Sequence, residues 1–187
     1  QYGGPDGEIG ASMRYLSQRF TAPNRVCMAV LTDVATEELG HLEMVSTIVH
    51  QLTANLTVEE IENQGFADYY VDHAVGIWPQ SAGGIPFNSC EFQSKGDPIT
   101  DMFESMAAEQ KARSTYDNIL RVVRDIPEIA DPIRFLRARE VVHFQRFGEA
   151  LQSLQDQLNS KNFYQMNPSF DTGLTREPCD CQGECVQ

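Results

Sequence analysis

The chain has 187 residues, 41% hydrophobic and 22% charged, enough for one domain with a substantial core. Its formal net charge of −13 excludes a nucleic-acid partner, whose phosphates it would repel. No apolar run approaches the roughly 20 residues that a membrane span needs.

Residues 6–20 are predicted as a first helix with Ile9, Met13 and Leu16 on one stripe, ended by Pro23 and Asn24. Residues 25–56 form a second, with Leu31, Val34, Ala35, Leu39, Leu42, Val45, Ile48 and Val49 on a broad apolar face. Thr57-Val58-Glu59-Glu60 is the capped start of a short extra helix. Residues 65–96 hold Gly, Pro, Ser and Asn throughout and no clean period, which predicts an irregular crossover. Asp97-Pro98 places an N-cap carboxylate before a proline at the first helical position. That opens a third helix through Met102, Met106, Tyr116, Ile119 and Leu120, ending near residue 124. Asp131-Pro132 repeats the signal and predicts a fourth helix from there, through Phe135, Leu136, Val142, Phe147 and Leu151 to near residue 158. The fold class is all-α: two antiparallel helical hairpins joined by a long crossover over residues 1–159, then an extended tail over residues 160–187.

Two of the four histidines follow a glutamate by three residues, in Glu38-Leu39-Gly40-His41 and Glu140-Val141-Val142-His143. On a helix, positions i and i+3 share a face, so each pair presents a carboxylate and an imidazole to one point. One such pair is weak evidence; two in matching mid-helix positions are far stronger. Across an antiparallel hairpin, residues equally far from the turn oppose each other. With turns centred near Pro23 and Ile126, Glu8 faces Glu38 and Glu109 faces His143. Each lone glutamate is followed seven residues later by a tyrosine, Tyr15 or Tyr116, two turns along the same face. The step from lone to paired glutamate is 30 residues in one half and 31 in the other, the mark of a pseudo-twofold bundle. One Glu from each of two helices and a Glu-x-x-His from each of the others is the dinuclear arrangement of a ferritin-like four-helix bundle. Four inward carboxylates at one level are costly unless protonated, paired with cations or bound to metal. Lys111, Arg113, Arg137 and Arg139 lie nearby but point mostly outward, so two divalent ions neutralise the cluster more directly than a structural salt-bridge network.

The segments Gly3-Gly4-Pro5-Asp6-Gly7-Glu8, Arg14-Tyr15-Leu16, Thr36-Glu37-Glu38-Leu39-Gly40-His41-Leu42-Glu43-Met44, Ala107-Ala108-Glu109 and Arg137-Ala138-Arg139-Glu140-Val141-Val142-His143 resemble those of manganese catalases. The likeness covers roughly residues 1–160 and is strongest to the shorter members associated with bacterial spore coats. It implies that Glu38 bridges two manganese ions, with Glu8 and His41 on one, and Glu109 and His143 on the other. Glu140 becomes an outer-sphere carboxylate suited to moving protons, and Tyr15 a hydrogen-bond partner of the cluster; a core aromatic with a satisfied hydroxyl is the plainer reading of Tyr15. Some members carry an arginine where this chain has Ala108, which puts anion gating by such a residue in doubt. The implied activity is disproportionation of hydrogen peroxide to water and dioxygen. Carboxylate and imidazole suit iron as well as manganese. The rivals are therefore a di-iron oxidase or peroxidase and, in another class, a structural coat component with a vestigial site.

Other signals are weaker. Glu37 and Glu43 flank the second-helix motif off its inward face and are expected to be solvated or interfacial. Met44, Met102 and Met106 are expected in core packing. His50 is read as a helix-surface or interface residue and His73 as a loop residue, and Trp78 with Tyr69-Tyr70 as either a subunit anchor or simple packing. The five cysteines, Cys27, Cys90, Cys179, Cys181 and Cys185, do not form the framework of a disulfide-stapled secreted domain. The last three suit cross-linking or a free tail more than zinc. The opening on Gln1 leads us to expect a preceding segment, so the lack of a targeting signal weighs little. A cytoplasmic or spore-coat location, a hexamer by resemblance and contacts with other coat proteins complete the expectations.

Overall fold

A computed structural model describes residues 1–73 and 76–160. Four long helices form the bundle: α1 (Glu8–Gln18), α2 (Arg25–Thr53), α5 (Pro98–Val123) and α6 (Pro127–Ser160). Two short ones, α3 (Val58–Asn63) and α4 (Ala67–His73), follow α2. α1 packs along α2 and α5 along α6, and the hairpins meet through α2–α6 and α1–α5. Among the described residues the only β pairing is an isolated bridge between Gln80 and Pro86. No described helix is long and apolar enough to cross a membrane.

Side-chain caps explain where α2, α3 and α5 begin. The Asn24 side chain accepts from Cys27 N at 2.9 Å, and Asp97 from Thr100 N at 2.8 Å, with Pro98 at the first helical position. Thr57 and Glu60 make a reciprocal capping box at α3. α6 begins at Pro127, five residues before the predicted first helical residue, and carries Pro132 inside it. The earlier proline serves as a first helical residue just as well. Starting there also brings Ile129 onto the apolar stripe beside Ala130, Ile133 and Leu136, the last three buried. The crossover is less irregular than predicted: α4 occupies part of it, and the Tyr70 hydroxyl donates to the Thr53 carbonyl at the end of α2. The backbone of His73 ends that helix and does not lie in a loop. Cys179, Cys181 and Cys185 lie outside the described residues; Cys27 is buried, Cys90 exposed, and both are free thiols.

The core is split. One apolar cluster gathers Leu31, Val34, Met102, Phe147 and Leu151 with Tyr15; another gathers Val45, Ile133 and Leu136 with Tyr116. Along α2 the order is Leu31 and Val34, then Glu38 and His41, then Val45. Along α6 it is Ile133 and Leu136, then Glu140 and His143, then Phe147 and Leu151. A buried polar layer therefore lies between two apolar ones. Met102 is in the first cluster, Met106 packs on it and Met44 packs on the second, as expected.

α1 inverts the usual pattern. Its buried residues are Glu8, Gly10, Ser12, Arg14, Tyr15 and Gln18, whereas Met13 of the predicted stripe is 43% exposed. Two of the inward polar side chains find close partners: Ser12 Oγ donates to the Ala35 carbonyl at 2.8 Å, and Ser105 Oγ donates to Gln18 Oε1 at 2.9 Å. Leu39 on α2 and Phe135 on α6 are likewise exposed, not core. An apolar stripe marks the buried face only where the neighbouring layer is apolar.

Candidate metal centre

α1 carries Glu8 at its first position, and the start of the chain holds it there. Glu8 N donates to the Gln1 carbonyl at 2.8 Å, and Gly7 N to that of Gly4 at 3.0 Å. Gly3 permits this path: a Cβ on it would sit 2.2 Å from the backbone of Pro79 and Gln80. α2 contributes Glu38 and His41, α5 Glu109, and α6 Glu140 and His143. All six residues are at most 2% exposed.

Glu38 stands between the two histidines. Its Oε2 is 2.8 Å from His41 Nδ1 and its Oε1 is 2.7 Å from His143 Nδ1. His41 Nδ1 also faces Glu8 Oε2 at 3.6 Å and Glu140 Oε1 at 3.7 Å, and His143 Nδ1 faces Glu109 Oε2 at 3.4 Å. The imidazoles stack nearly parallel, with ring centroids 5.3 Å apart and 17° between planes. The tyrosines cross between halves: Tyr15 donates to Glu109 Oε1 and Tyr116 to Glu8 Oε1, so each serves the other hairpin's glutamate.

Hydrogen bonding does not account for the rest. Both Glu38 oxygens, both nitrogens of each histidine, Glu109 Oε2 and Glu140 Oε1 are buried with no hydrogen-bond partner. Burying so many unmade bonds would cost several kcal/mol. Among the described residues no lysine or arginine forms an ion pair with Glu8, Glu38, Glu109 or Glu140; the cations that face them are the two histidines. One atom from each of Glu38, His41, Glu140 and His143 lies within 4.8 Å of the others, a group that could hold a metal ion. The donor set is hard oxygen and imidazole nitrogen, which fits manganese or iron. The residues present fit a dinuclear centre.

Electrostatics agree. Burial, then the charge of Glu109, pushes Glu38 up to about 7, and burial beside Glu109, Glu38 and Glu8 raises Glu140 much further, keeping it a neutral acid. Burial opposes charge on the histidines, but the carboxylates outweigh it and lift His41 to about 9 and His143 to about 10. Burial would likewise raise Glu8, yet its contacts with His41, Glu38 and the Tyr116 hydroxyl leave it below its usual value. Burial and the charge of Glu109 push the Tyr15 hydroxyl well above 10, so it stays protonated and donates.

The structure thus brings Glu8, Tyr15, Glu38, His41, Glu109, Glu140 and His143 to one place. Glu43 and His50 are exposed surface residues, as expected. Lys111 pairs with Glu104 and Asp6, and Arg113 and Arg137 with Asp117, all away from the centre. Glu37 corrects the sequence reading. It is not simply solvated but half-buried against both histidines, 3.7 Å from His41 Nε2 and 3.3 Å from His143 Nε2, and ion-paired to Arg139. Burial works against its charge, but Arg139 and His143 hold it down at about 2. The signal was its i, i+4 spacing to His41, hidden by the stronger i, i+3 motif beside it.

Comparison with known proteins gives the family. The model of the family described as manganese containing catalase matches residues 1–167. The chain belongs to that family. It is 45% identical over 164 residues to protein CotJC of Bacillus subtilis, covering 88% of this chain and 86% of CotJC. It is 30% identical over 163 residues to a probable manganese catalase of Clostridium acetobutylicum, covering 87% of this chain and 72% of the relative. The solved structure of KatB, a manganese catalase from Anabaena, matches with a TM-score of 0.75 at 29% identity, over 83% of this chain and 69% of KatB.

Proposed function

We propose that the protein disproportionates hydrogen peroxide to water and dioxygen at a dinuclear manganese centre. Glu38 would bridge the ions, Glu8 and His41 would complete one ligand set, and Glu109 and His143 the other. Bound there, the pair would supply the two-electron redox capacity that lets one peroxide be reduced and a second oxidised. The observation that carries the reading is the set of buried, unpartnered nitrogen and oxygen atoms around Glu38, in a chain of this family.

The chain's own residues supply the remainder. Glu140, a neutral acid beside three other carboxylates, holds a proton that it can give to a departing oxygen and recover from the next peroxide. Tyr15 and Tyr116 fix Glu109 and Glu8 by donating to one oxygen of each, which leaves the other oxygen free. The apolar clusters on either side keep bulk water and larger reductants out. Purified protein loaded with manganese should evolve oxygen from peroxide in a Clark-electrode assay, and iron loading should not replace it. Metal bound in full with no oxygen released would sink the reading.

The 45% identity to CotJC over nearly the whole of both chains supports a second reading, a short spore-coat component whose centre binds metal without turnover. The same assay separates the two. A homo-oligomer, a hexamer by resemblance, and contacts with coat proteins belong to either.

A further inference from the structure

Both imidazoles turn Nδ1 inward to Glu38. That leaves two Nε2 atoms on the outer side, buried and with no hydrogen-bond partner. A histidine that ligates through one nitrogen carries its proton on the other, so each outward N–H needs an acceptor. One carboxylate stands there. Glu37 Oε1 is 3.7 Å from His41 Nε2, and Glu37 Oε2 is 3.3 Å from His143 Nε2. These separations are long for hydrogen bonds, and such contacts tighten when a site is loaded.

Glu37 cannot swing away, because Arg139 takes both of its oxygens: Nε donates to Oε1 and Nη2 to Oε2, the latter at 3.1 Å. The placement follows from register. Glu37 precedes Glu38 by one residue and His41 by four; Arg139 precedes Glu140 by one and His143 by four. They are the same position in the two halves, with opposite charge. The pseudo-twofold relation therefore brings acid and base together across the helices that carry the histidines.

We propose that Glu37, held by Arg139, is the positioning residue of both histidines: one carboxylate oxygen receives the Nε2 proton of His41 and the other that of His143, which fixes both Nδ1 atoms inward. This rests on the reading of the centre as a metal site.

The test compares the full chain with Glu37→Leu, Glu37→Gln and Arg139→Lys. Manganese affinity is read by chelator competition, and the imidazole nitrogens by long-range ¹⁵N spectra of the zinc-loaded, diamagnetic protein. Glu37→Leu should weaken manganese binding by about 10–100-fold and move the Nε2 signals of both rings. Glu37→Gln keeps one acceptor oxygen and should fall between, and Arg139→Lys, which keeps the charge, should stay nearest the parent. Parental affinity and unmoved signals in Glu37→Leu would overturn the inference, whether or not that variant melts earlier. A parent that binds neither metal would overturn the metal reading beneath it, and the inference with it.

Discussion

Matching the first hairpin to the second by register pairs Glu8 with Glu109, Tyr15 with Tyr116, Glu38 with Glu140 and His41 with His143. The outer members behave alike: each lone glutamate accepts from the opposite half's tyrosine. The inner ones do not. Glu38 lies within 2.8 Å of both histidines, whereas Glu140 comes no nearer to His41 than 3.7 Å. Glu37 and Arg139, paired by the same register, carry opposite charges. A repeated scaffold gathers the donors, and the departures from the repeat distribute the roles. Like carboxylates in one dry layer cannot all ionise, so one is driven to stay protonated.

The largest expected effects test that inequality. Glu38→Gln removes the carboxylate that faces both inward Nδ1 atoms, at 2.8 and 2.7 Å, so it should weaken manganese binding by more than about 100-fold and abolish oxygen release. Glu140→Gln should keep both metals, counted by elemental analysis, while turnover falls by about 10²–10⁴. Should Glu140→Gln shed its metal as Glu38→Gln does, Glu140 is a ligand and the proposed asymmetry is gone. The geometry makes this a real contest, since Glu140 stands as near His41 as Glu8 does.

Spacing and symmetry made the centre legible before any coordinates, because a metal layer needs particular residue types at helical intervals and two hairpin midpoints fix what faces what. The helix starts at Asp97 and Asn24 were legible for the same local reason. Three things were not. Asp131-Pro132 offers a capping carboxylate and Ile126-Pro127 only the proline, so local signals favour the later start, and the packing of Ile129, Ala130 and Ile133 draws the helix back to the earlier one. Met13, Leu39 and Phe135 read as core because hydrophobic periodicity assumes an apolar interior, which a polar layer contradicts. Glu37 was missed because its role depends on Arg139, 102 residues away.

A smaller effect concerns protons. Without metal, the folded pKa values of Glu38, His41 and His143 all lie above their ordinary 4.5, 6.5 and 6.5, at about 7, 9 and 10. Groups raised on folding stabilise the fold fully below the ordinary value and lose that contribution as pH climbs through the folded one. The metal-free protein should therefore lose stability between about pH 5 and pH 10, and the metal-loaded protein much less. Metal must displace those protons, so loading at pH 7 should release about two per molecule into weak buffer. A metal-free melting temperature that rises across that range would contradict the raised values in both halves.

The smallest effect separates the tyrosines. Phenylalanine at either position deprives a buried carboxylate of a donor, a loss of about 1–3 kcal/mol when nothing replaces it. Tyr15 is enclosed, with Phe147 edge-on at 4.8 Å in the larger apolar cluster. Tyr116 lines a cavity of about 290 Å³ that also reaches Gln1 and Gln80, room and polar groups enough to admit a water to Glu8. Tyr15→Phe should therefore lower the melting temperature more than Tyr116→Phe, by roughly the 1 kcal/mol that a replacement water recovers. Equal losses would show that the cavity gives Glu8 no relief. They would also make the two tyrosines equivalent, so that the halves differ only along the inner row of Glu38 and Glu140 and the pair of Glu37 with Arg139.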